Sequence, residues 1–511
     1  MVYHRKVRVS SPLEKGGAGG ISEGSGVRWE GVEMDKARDY KKAGFDWIEV
    51  NSPRLIDFSR QIWNYAELGL EEHRSFRVLA DFLSVEGFTL EKDVAGIPTA
   101  FVAAWGQGKP VIGINCEYDA LPGLSQEPAA RKQPVVPGAP GHGCGHNLLG
   151  TGAAGAAVAL KKVMEKHRLS GTIKILGAPA EEICAGKSFM ARAGVFKGID
   201  AIIDWHPFFM NQVLYDTCNA YFNMKYHFQG RTSHGNSPWE GKSALDSAVL
   251  MGHAIELLRE HIPPGELTAA NTINYTFSDV GPEYPNVVPD RATLWCIGRI
   301  QTVQQMEPIL AQIHRCAEGA AMATGTEVTK EFVTVTHEKI PNSVLAAVLY
   351  KNLVELGALS YTSEEEAFAR DLQKSCNAFE VGMDRQIQPF GPGSTYVSDN
   401  SEYSWFAPFA MVWVATAPPG MGWHNWQVNA ASHSQLGWKG MLLAAKVLMA
   451  SGVDLLLDGK VIQEAKAELT KHLAGREYKV LLPPNAPAPL DINRKTMEKY
   501  RPLMEEKGRK G

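Results

Sequence analysis

Apolar positions recur at helical spacing in LIDFSRQIWNYAEL and SFRVLADFLSVEGF, and VIGINC is a short continuous apolar run of the kind a buried strand carries. The same alternation returns as a small-residue helix over 150–166, strands over 172–176, 201–205 and 409–416, and a helix over 436–449. Helices alternating with strands predict an α/β fold, a largely parallel, helix-covered sheet. The middle of the chain has another rhythm. Met224, Tyr226 and Phe228 alternate with Lys225 and His227 over 221–229, followed by a helix over 245–261, strands over 272–277 and 292–300, a helix over 303–323 and a strand over 327–335. That β-α-β-β-α-β order is the split-βαβ unit. It predicts a ferredoxin-like α+β domain inserted at 217–335, which divides the sheet domain into 46–216 and 336–480. Residues 11–26 are rich in Gly and Ser and entropically costly to order, so 1–45 reads as a flexible arm. The proline-rich stretch after Tyr478 predicts an extended tail over 481–511.

Composition narrows the function classes. At 44% hydrophobic and 21% charged residues, the 511-residue chain matches ordinary globular usage, which excludes disordered, collagenous and coiled-coil readings. A formal charge of −4 without a long basic run argues against a nucleic-acid partner and leaves small molecules or protein. Seven scattered cysteines are no disulfide framework and fit a reducing compartment. No apolar run reaches the roughly 18–20 residues of a membrane span. The start, MVYHRKVRVSSP, lacks the apolar segment of a secretory signal. The reading is a cytoplasmic protein with no membrane partner.

Four segments carry candidate chemistry. In GHGCGHNLLGTG, Cys144 and His146 sit two apart in a glycine-rich turn entering a helix. A thiolate and an imidazole suit a zinc-like divalent ion; a helix-entry turn with one buried cysteine explains the pair as well. His142 reads as a turn histidine. In TIKILGAPAEEICAG a strand ends in Glu181 and Glu182, whose carboxylates point different ways, so that one can hold a metal while the other acts as a base; two exposed loop acids are the plainer account. His206 closes the strand of AIIDWHPF, and His424 follows a strand and glycine loop in FAMVWVATAPPGMGWHNW. A histidine beside tryptophan is commonly just packed. What unites Cys144, His146, Glu182, His206 and His424 is position, since each lies at or beyond the carboxyl end of a predicted strand, where open α/β sheets form their sites. Five ligands there would serve two metals sharing a bridging group.

Those segments, in that order, resemble the dinuclear metal amidohydrolases of the aminoacylase and carboxypeptidase G type, in the subgroup with a cysteine ligand. GHGCGHNLLGT, SPWEGKSALDSAVLM, CAEGAAMATGTEV and GWKGMLLAAKV are similar to its p-aminobenzoyl-glutamate branch, over about residues 58–484. The resemblance implies Cys144, His146, Glu182, His206 and His424 as ligands of two divalent ions, Zn or Mn, with Glu181 as the base for the attacking water. It implies a homodimer formed through the inserted domain, with higher oligomers left open, because His234 would reach the neighbouring subunit's site to stabilise the oxyanion. Read from its own segment, GRTSHGNSP, His234 is a turn histidine. Asn286 would contact the tetrahedral intermediate and Arg299 a substrate carboxylate, a task its forked guanidinium suits, although a surface ion pair explains Arg299 equally. Asp119, in the DALP segment, would orient a ligating histidine. Asn147 stands where most of the family has Asp, as in the p-aminobenzoyl-glutamate branch. The segment 356–391 is shorter and divergent, and either Asp399 or Glu402 stands where that branch has an active-site-loop acid. The implied activity is hydrolysis of an N-acyl or N-aroyl amino acid, with a dipeptidase or carboxypeptidase on the same metal site, or an inactive regulatory subunit, as alternatives. Twelve tryptophans, Trp405, Trp423 and Trp426 among them, suit an aromatic acyl group, as they suit a core.

Overall fold

Short β-branched and aliphatic runs build the centre of the molecule, and in the computed structural model, which describes residues 31–266, 269–282 and 284–508, they form one eight-stranded sheet. Before the insert come β1 (Thr89–Lys92), β2 (Phe101–Gln107), β3 (Val111–Cys116), β4 (Gly171–Gly177), β5 (Ala201–Phe208) and β6 (Gln212–Thr217). The insert holds β7 (Ala220–Gln229), a two-residue ribbon of β8 (Gly265–Glu266) and β9 (Ala269–Ala270), then β10 (Thr272–Asp279), β11 (Arg291–Ile300) and β12 (Glu327–Thr336). Two strands, β13 (Gly391–Ser394) and β14 (Phe409–Ala415), return to the first sheet, whose order is β1-β2-β4-β3-β5-β14-β6-β13. Its centre, β4-β3-β5-β14, is parallel, and antiparallel pairs flank it at β2–β4 and β14–β6.

The helices are α1 (Gly31–Tyr65), α2 (Ser75–Val85), α3 (His146–His167), α4 (Gly186–Arg192), α5 (Ala244–Arg259), α6 (Val303–Thr324), α7 (Ser343–Leu356), α8 (Ser363–Ser375), α9 (Trp426–Ser432), α10 (Gln435–Leu457), α11 (Gly459–Leu473) and α12 (Arg494–Gly508). Alternation along the strands sends Ile112, Ile114, Ile173, Ile175, Ile203, Trp205, Val412 and Val414 to one face, into the core shared with α1, α3, α7 and α10. Leu176, Ile202, Phe409 and Met411 face the other side, packing with Phe189 and Phe196 of the α4 region in a core continuous with that of the insert. One close approach sets the geometry of the site. A Cβ on Gly150 of α3 would lie 2.4 Å from the Glu117 carbonyl oxygen, so glycine lets the helix cross the end of β3.

The insert is a four-stranded antiparallel sheet of order β10-β11-β7-β12 with α5 and α6 packed on it, which is the ferredoxin-like arrangement the split-βαβ pattern predicts. Three expectations need correction. Of the expected arm, residues 1–30 lie outside the described residues, and 31–45 are the first part of α1. The tail is not extended throughout: after its prolines it forms α12, because Met497, Tyr500, Arg501 and Met504 share a helical face, Met497 is fully buried, and Arg501 pairs with Glu71 at 3.0 Å. Contrary to the expectation that no apolar run reaches spanning length, α10 is long and apolar enough to cross a membrane despite its lysines. Most of that helix is buried in the core against α3 and the sheet, as a central helix of a large α/β domain is.

Candidate metal centre

The carboxyl ends of the parallel strands converge on one cluster. From β3 the chain passes directly to Glu117 and Asp119; from β4 it reaches Glu181 and Glu182; His206 lies near the end of β5, and His424 in the loop after β14. Cys144 and His146 arrive from the other direction, at the start of α3, across a turn in which Gly145 has φ +80°. Three non-glycine residues around the cluster, Ala180, Cys184 and His424, also hold left-handed backbone, with φ of +57°, +53° and +59°. Such conformations are costly for L-residues and gather where a chain must aim side chains.

Two ligand groups share one atom. The donor atoms of Cys144, His146 and His206 lie within 4.8 Å of one another, and so do those of Cys144, Glu182 and His424. The Cys144 Sγ is 3.5 Å from His206 Nε2 and accepts a hydrogen bond from Trp423 Nε1 at 3.1 Å. His424 Nε2 stands 3.3 Å from a Glu182 oxygen. The ring orientations follow from what each other nitrogen does. His206 Nδ1 donates to the Pro207 carbonyl at 2.7 Å, which turns Nε2 toward the thiol. His146 Nδ1 bonds Asp119 Oδ1 at 2.8 Å, while Asp119 Oδ2 accepts from the Glu182 backbone N–H at 2.9 Å. One carboxylate thus orients two members of the cluster. His146 Nε2 and Glu182 Oε1, both buried, have no hydrogen-bond partner of their own among the described residues.

Glu117, Asp119, Glu181, Glu182, Asp204 and Asp399 crowd this end of the sheet, with Glu72 behind them. Burial, with Glu117 and Glu182 as neighbours, holds Glu181 well above the usual carboxylate range. Burial likewise pushes Glu182 up to about 8 and Asp204 to about 7. Burial opposes ionisation of Glu117 too, but the Lys187 ammonium, 2.8 Å away, overrides it and holds Glu117 at about 2. His206 is lowered to about 4 by burial and by His146, which keeps its Nε2 lone pair free at neutral pH. Burial pushes the Cys144 thiol up. A nearby divalent cation reverses that preference. The donor set therefore fits divalent cations: one soft sulfur between two groups, imidazoles with free nitrogens, and more buried carboxylate than the Lys187 ion pairs balance.

All five expected ligands, Glu181 and Asp119 come together here. His142 does not join them: it is buried, with Nε2 at 3.1 Å from the Ile62 carbonyl. Of the two loop acids, Asp399 binds the Lys187 backbone N–H at 2.9 Å and its ammonium, whereas Glu402 binds His337 at 2.8 Å where the insert rejoins the sheet domain. Trp423 is at the cluster, and Trp405 packs at that junction, donating to the Glu338 carbonyl. Arg299 is half-buried at the base of the insert, opposite Tyr221 and on the side where both connections leave for the sheet domain. It makes no ion pair among the described residues, and its nearest polar partner is Asn274 at 3.5 Å. His234 and Asn286 are not brought to the cluster within the chain. Both are exposed in loops at the far end of the insert, where the Gly235 N–H donates to the Asn286 carbonyl. At about 3.3 Å per strand residue, the length of β7 separates them from Arg299 by roughly 25–30 Å. Two residues escaped the sequence reading, Glu117 and Lys187. The rule that singled out Glu181 covers Glu117, one residue beyond a strand's carboxyl end; nothing local marks Lys187.

The profile of Peptidase family M20/M25/M40 matches residues 113–434, more than half of the chain and every residue of the two ligand groups. The chain belongs to that family. Over 476 residues, 87% of this M20/M25/M40 member and 98% of the relative, it is 35% identical to a p-aminobenzoyl-glutamate hydrolase subunit of Escherichia coli (strain K12). It is 30% identical to the Xaa-Arg dipeptidase of Homo sapiens over 373 residues, 69% of this chain and 77% of that one. A solved M20 structure from Bacillus subtilis, described as a dinuclear metal binding peptidase, superposes with a TM-score of 0.51 at 19% identity, covering 80% of this chain and 99% of its own. That likeness shows the shared fold. The protein is a hydrolase of the metal-dependent amidase and peptidase type.

Proposed function

We propose that this M20/M25/M40 member hydrolyses the amide bond of an N-acyl amino acid, with an N-aroyl-glutamate as the leading substrate class, at a centre of two divalent ions. The observation that carries the reading is the Cys144 sulfur common to the groups Cys144–His146–His206 and Cys144–Glu182–His424. In that scheme Cys144, His146 and His206 would hold one ion and Cys144, Glu182 and His424 the other; the sulfur and imidazole donors favour Zn, with Mn as the alternative. The ions would supply Lewis-acid polarisation of the scissile carbonyl and an acidified water.

The chain's own residues do the rest. Glu181, beside the cluster yet outside the two groups that share Cys144, takes the proton of the attacking water and delivers it to the leaving amine. Asp119 fixes the His146 ring and the Glu182 backbone. Arg299, without an acidic partner among the described residues, grips the substrate carboxylate in two parallel bonds. His234 and Asn286 act on the oxyanion from a second copy of the chain, because their own chain holds them at the far end of the insert. The surface for that homodimer is the edge strand β10 with the outer face of α5, where Val249, Leu250, Leu257 and Phe277 are exposed.

The experiment is a panel of p-aminobenzoyl-glutamate, other aroyl and acyl amino acids, and dipeptides including Xaa-Arg, incubated with purified protein and added Mn or Zn. Release of free amino acid from the aroyl class, and a fall of about 10²–10⁴-fold in Glu181→Ala, supports the reading. Turnover confined to dipeptides moves the assignment to a dipeptidase. Bound metal without any turnover points to an inactive subunit, a reading that leaves the clustered Glu181 without a task.

A further inference from the structure

Glu117 belongs to neither group that shares Cys144, yet it faces the same histidine. Its Oε2 lies 3.5 Å from His146 Nε2, the nitrogen left free once Nδ1 has bonded Asp119. Glu181 Oε2 is 3.9 Å from the same nitrogen, and the donor atoms of Glu117, His146 and Glu181 fall within 4.8 Å of one another. His146 Nε2 is fully buried and has no hydrogen-bond partner among the described residues, so an unpaired ligand atom is aimed at this second carboxylate.

The other oxygen of Glu117 is already held. Its Oε1 accepts from the Lys187 ammonium at 2.8 Å and from Asn115 Nδ2 at 2.8 Å, and Tyr403 donates to Asn115 Oδ1 at 2.8 Å. Lys187 is itself fully buried and clamped by Asp399, which binds both its ammonium and its backbone N–H. Burying an ammonium is expensive unless partners surround it. Here the partners are two carboxylates, and what the arrangement achieves is to hold one oxygen of Glu117 still and present the other to His146. We propose that Glu117 is a further carboxylate ligand of the metal centre, on the His146 side, and that Lys187 and Asp399 are the positioning residues that hold it there.

The inference rests on the two-metal reading above, and the test separates the two. Cobalt is titrated into metal-stripped wild-type protein, Glu117→Gln, Glu117→Asp and Lys187→Met, reading stoichiometry by elemental analysis and coordination by the visible spectrum. A folded state is verified by circular dichroism. Wild-type protein binds two ions with a thiolate charge-transfer band. Glu117→Gln keeps that band, because Cys144 is untouched, but its ligand-field bands change and one ion binds at least about 10-fold more weakly. Glu117→Asp, which keeps the charge, recovers part of that affinity. Lys187→Met, which alters no ligand, also loses about 10-fold or more. Two ions bound by Glu117→Gln with wild-type affinity and spectrum overturn the inference while leaving the two-metal reading intact. A wild-type protein that binds no cobalt overturns both.

Discussion

Asp119 holds two members of the cluster with its two oxygens, so replacing one oxygen by an amide breaks one bond and keeps the volume. Asp119→Asn is expected to weaken metal binding about 10–100-fold, measured by competition with a chromogenic chelator, without lowering the melting temperature of the metal-free protein by more than a few degrees. Trp423→Phe removes the donor to Cys144 Sγ and retains the packing; a blue or red shift of the cobalt thiolate band, at unchanged stoichiometry, is the expected outcome. At this scale most of the centre is legible in the sequence. Cys144 and His146 are two residues apart, Glu181 and Glu182 adjacent, and each segment announces itself by glycine or by the end of a strand. Glu117 and Lys187 are illegible for the opposite reason: their meaning lies in each other and in Asp399, and Lys187 and Asp399 are 212 residues apart. No local pattern shows that a lysine at the start of a short helix is fully buried.

The elements that carry these residues are set by close packing as much as by propensity. Gly150 is the test: an added methyl would meet the Glu117 carbonyl at 2.4 Å, backbone that cannot swing away. Gly150→Ala is expected to lower stability by about 1–3 kcal/mol in chemical denaturation and to reduce metal affinity, since α3 carries His146 and its displacement moves the ring. Helices and strands of the sheet domain and of the insert are readable from periodicity, because buried faces repeat at 3.6 or 2 residues. The ends of the chain are not: glycine and proline dominate the eye there, while the apolar face of α12 spans only two turns and the first turns of α1 are polar. On α5, the exposed apolar face yields a prediction for assembly. Leu257→Glu is expected to convert the proposed homodimer to monomer in light scattering and, with His234 then unable to reach a second site, to abolish turnover while metal content stays at the wild-type value; a wild-type protein already monomeric contradicts that scheme.

For the whole molecule, the dominant feature is acid buried at the carboxyl end of the sheet, a charge pattern that couples stability to pH and to metal. Burial raises Glu182 from 4.5 to about 8 and Asp204 from 3.8 to about 7, so the folded metal-free chain binds protons the unfolded chain has released. Stability from these groups is present below the unfolded values and is lost as pH rises toward the folded ones. The melting temperature of chelator-treated protein is therefore expected to fall between about pH 5 and 8, and the gain on adding Zn or Mn to grow over the same window, because the ion replaces the protons. The most direct test of the account is X-ray absorption at the zinc edge of fully loaded protein. A thiolate shared by both ions would place one sulfur, at about 2.3 Å, in the average shell of each zinc although Cys144 is the single cysteine of the cluster, and Cys144→Ser would remove it. Half a sulfur per zinc, or none, contradicts a centre built around Cys144.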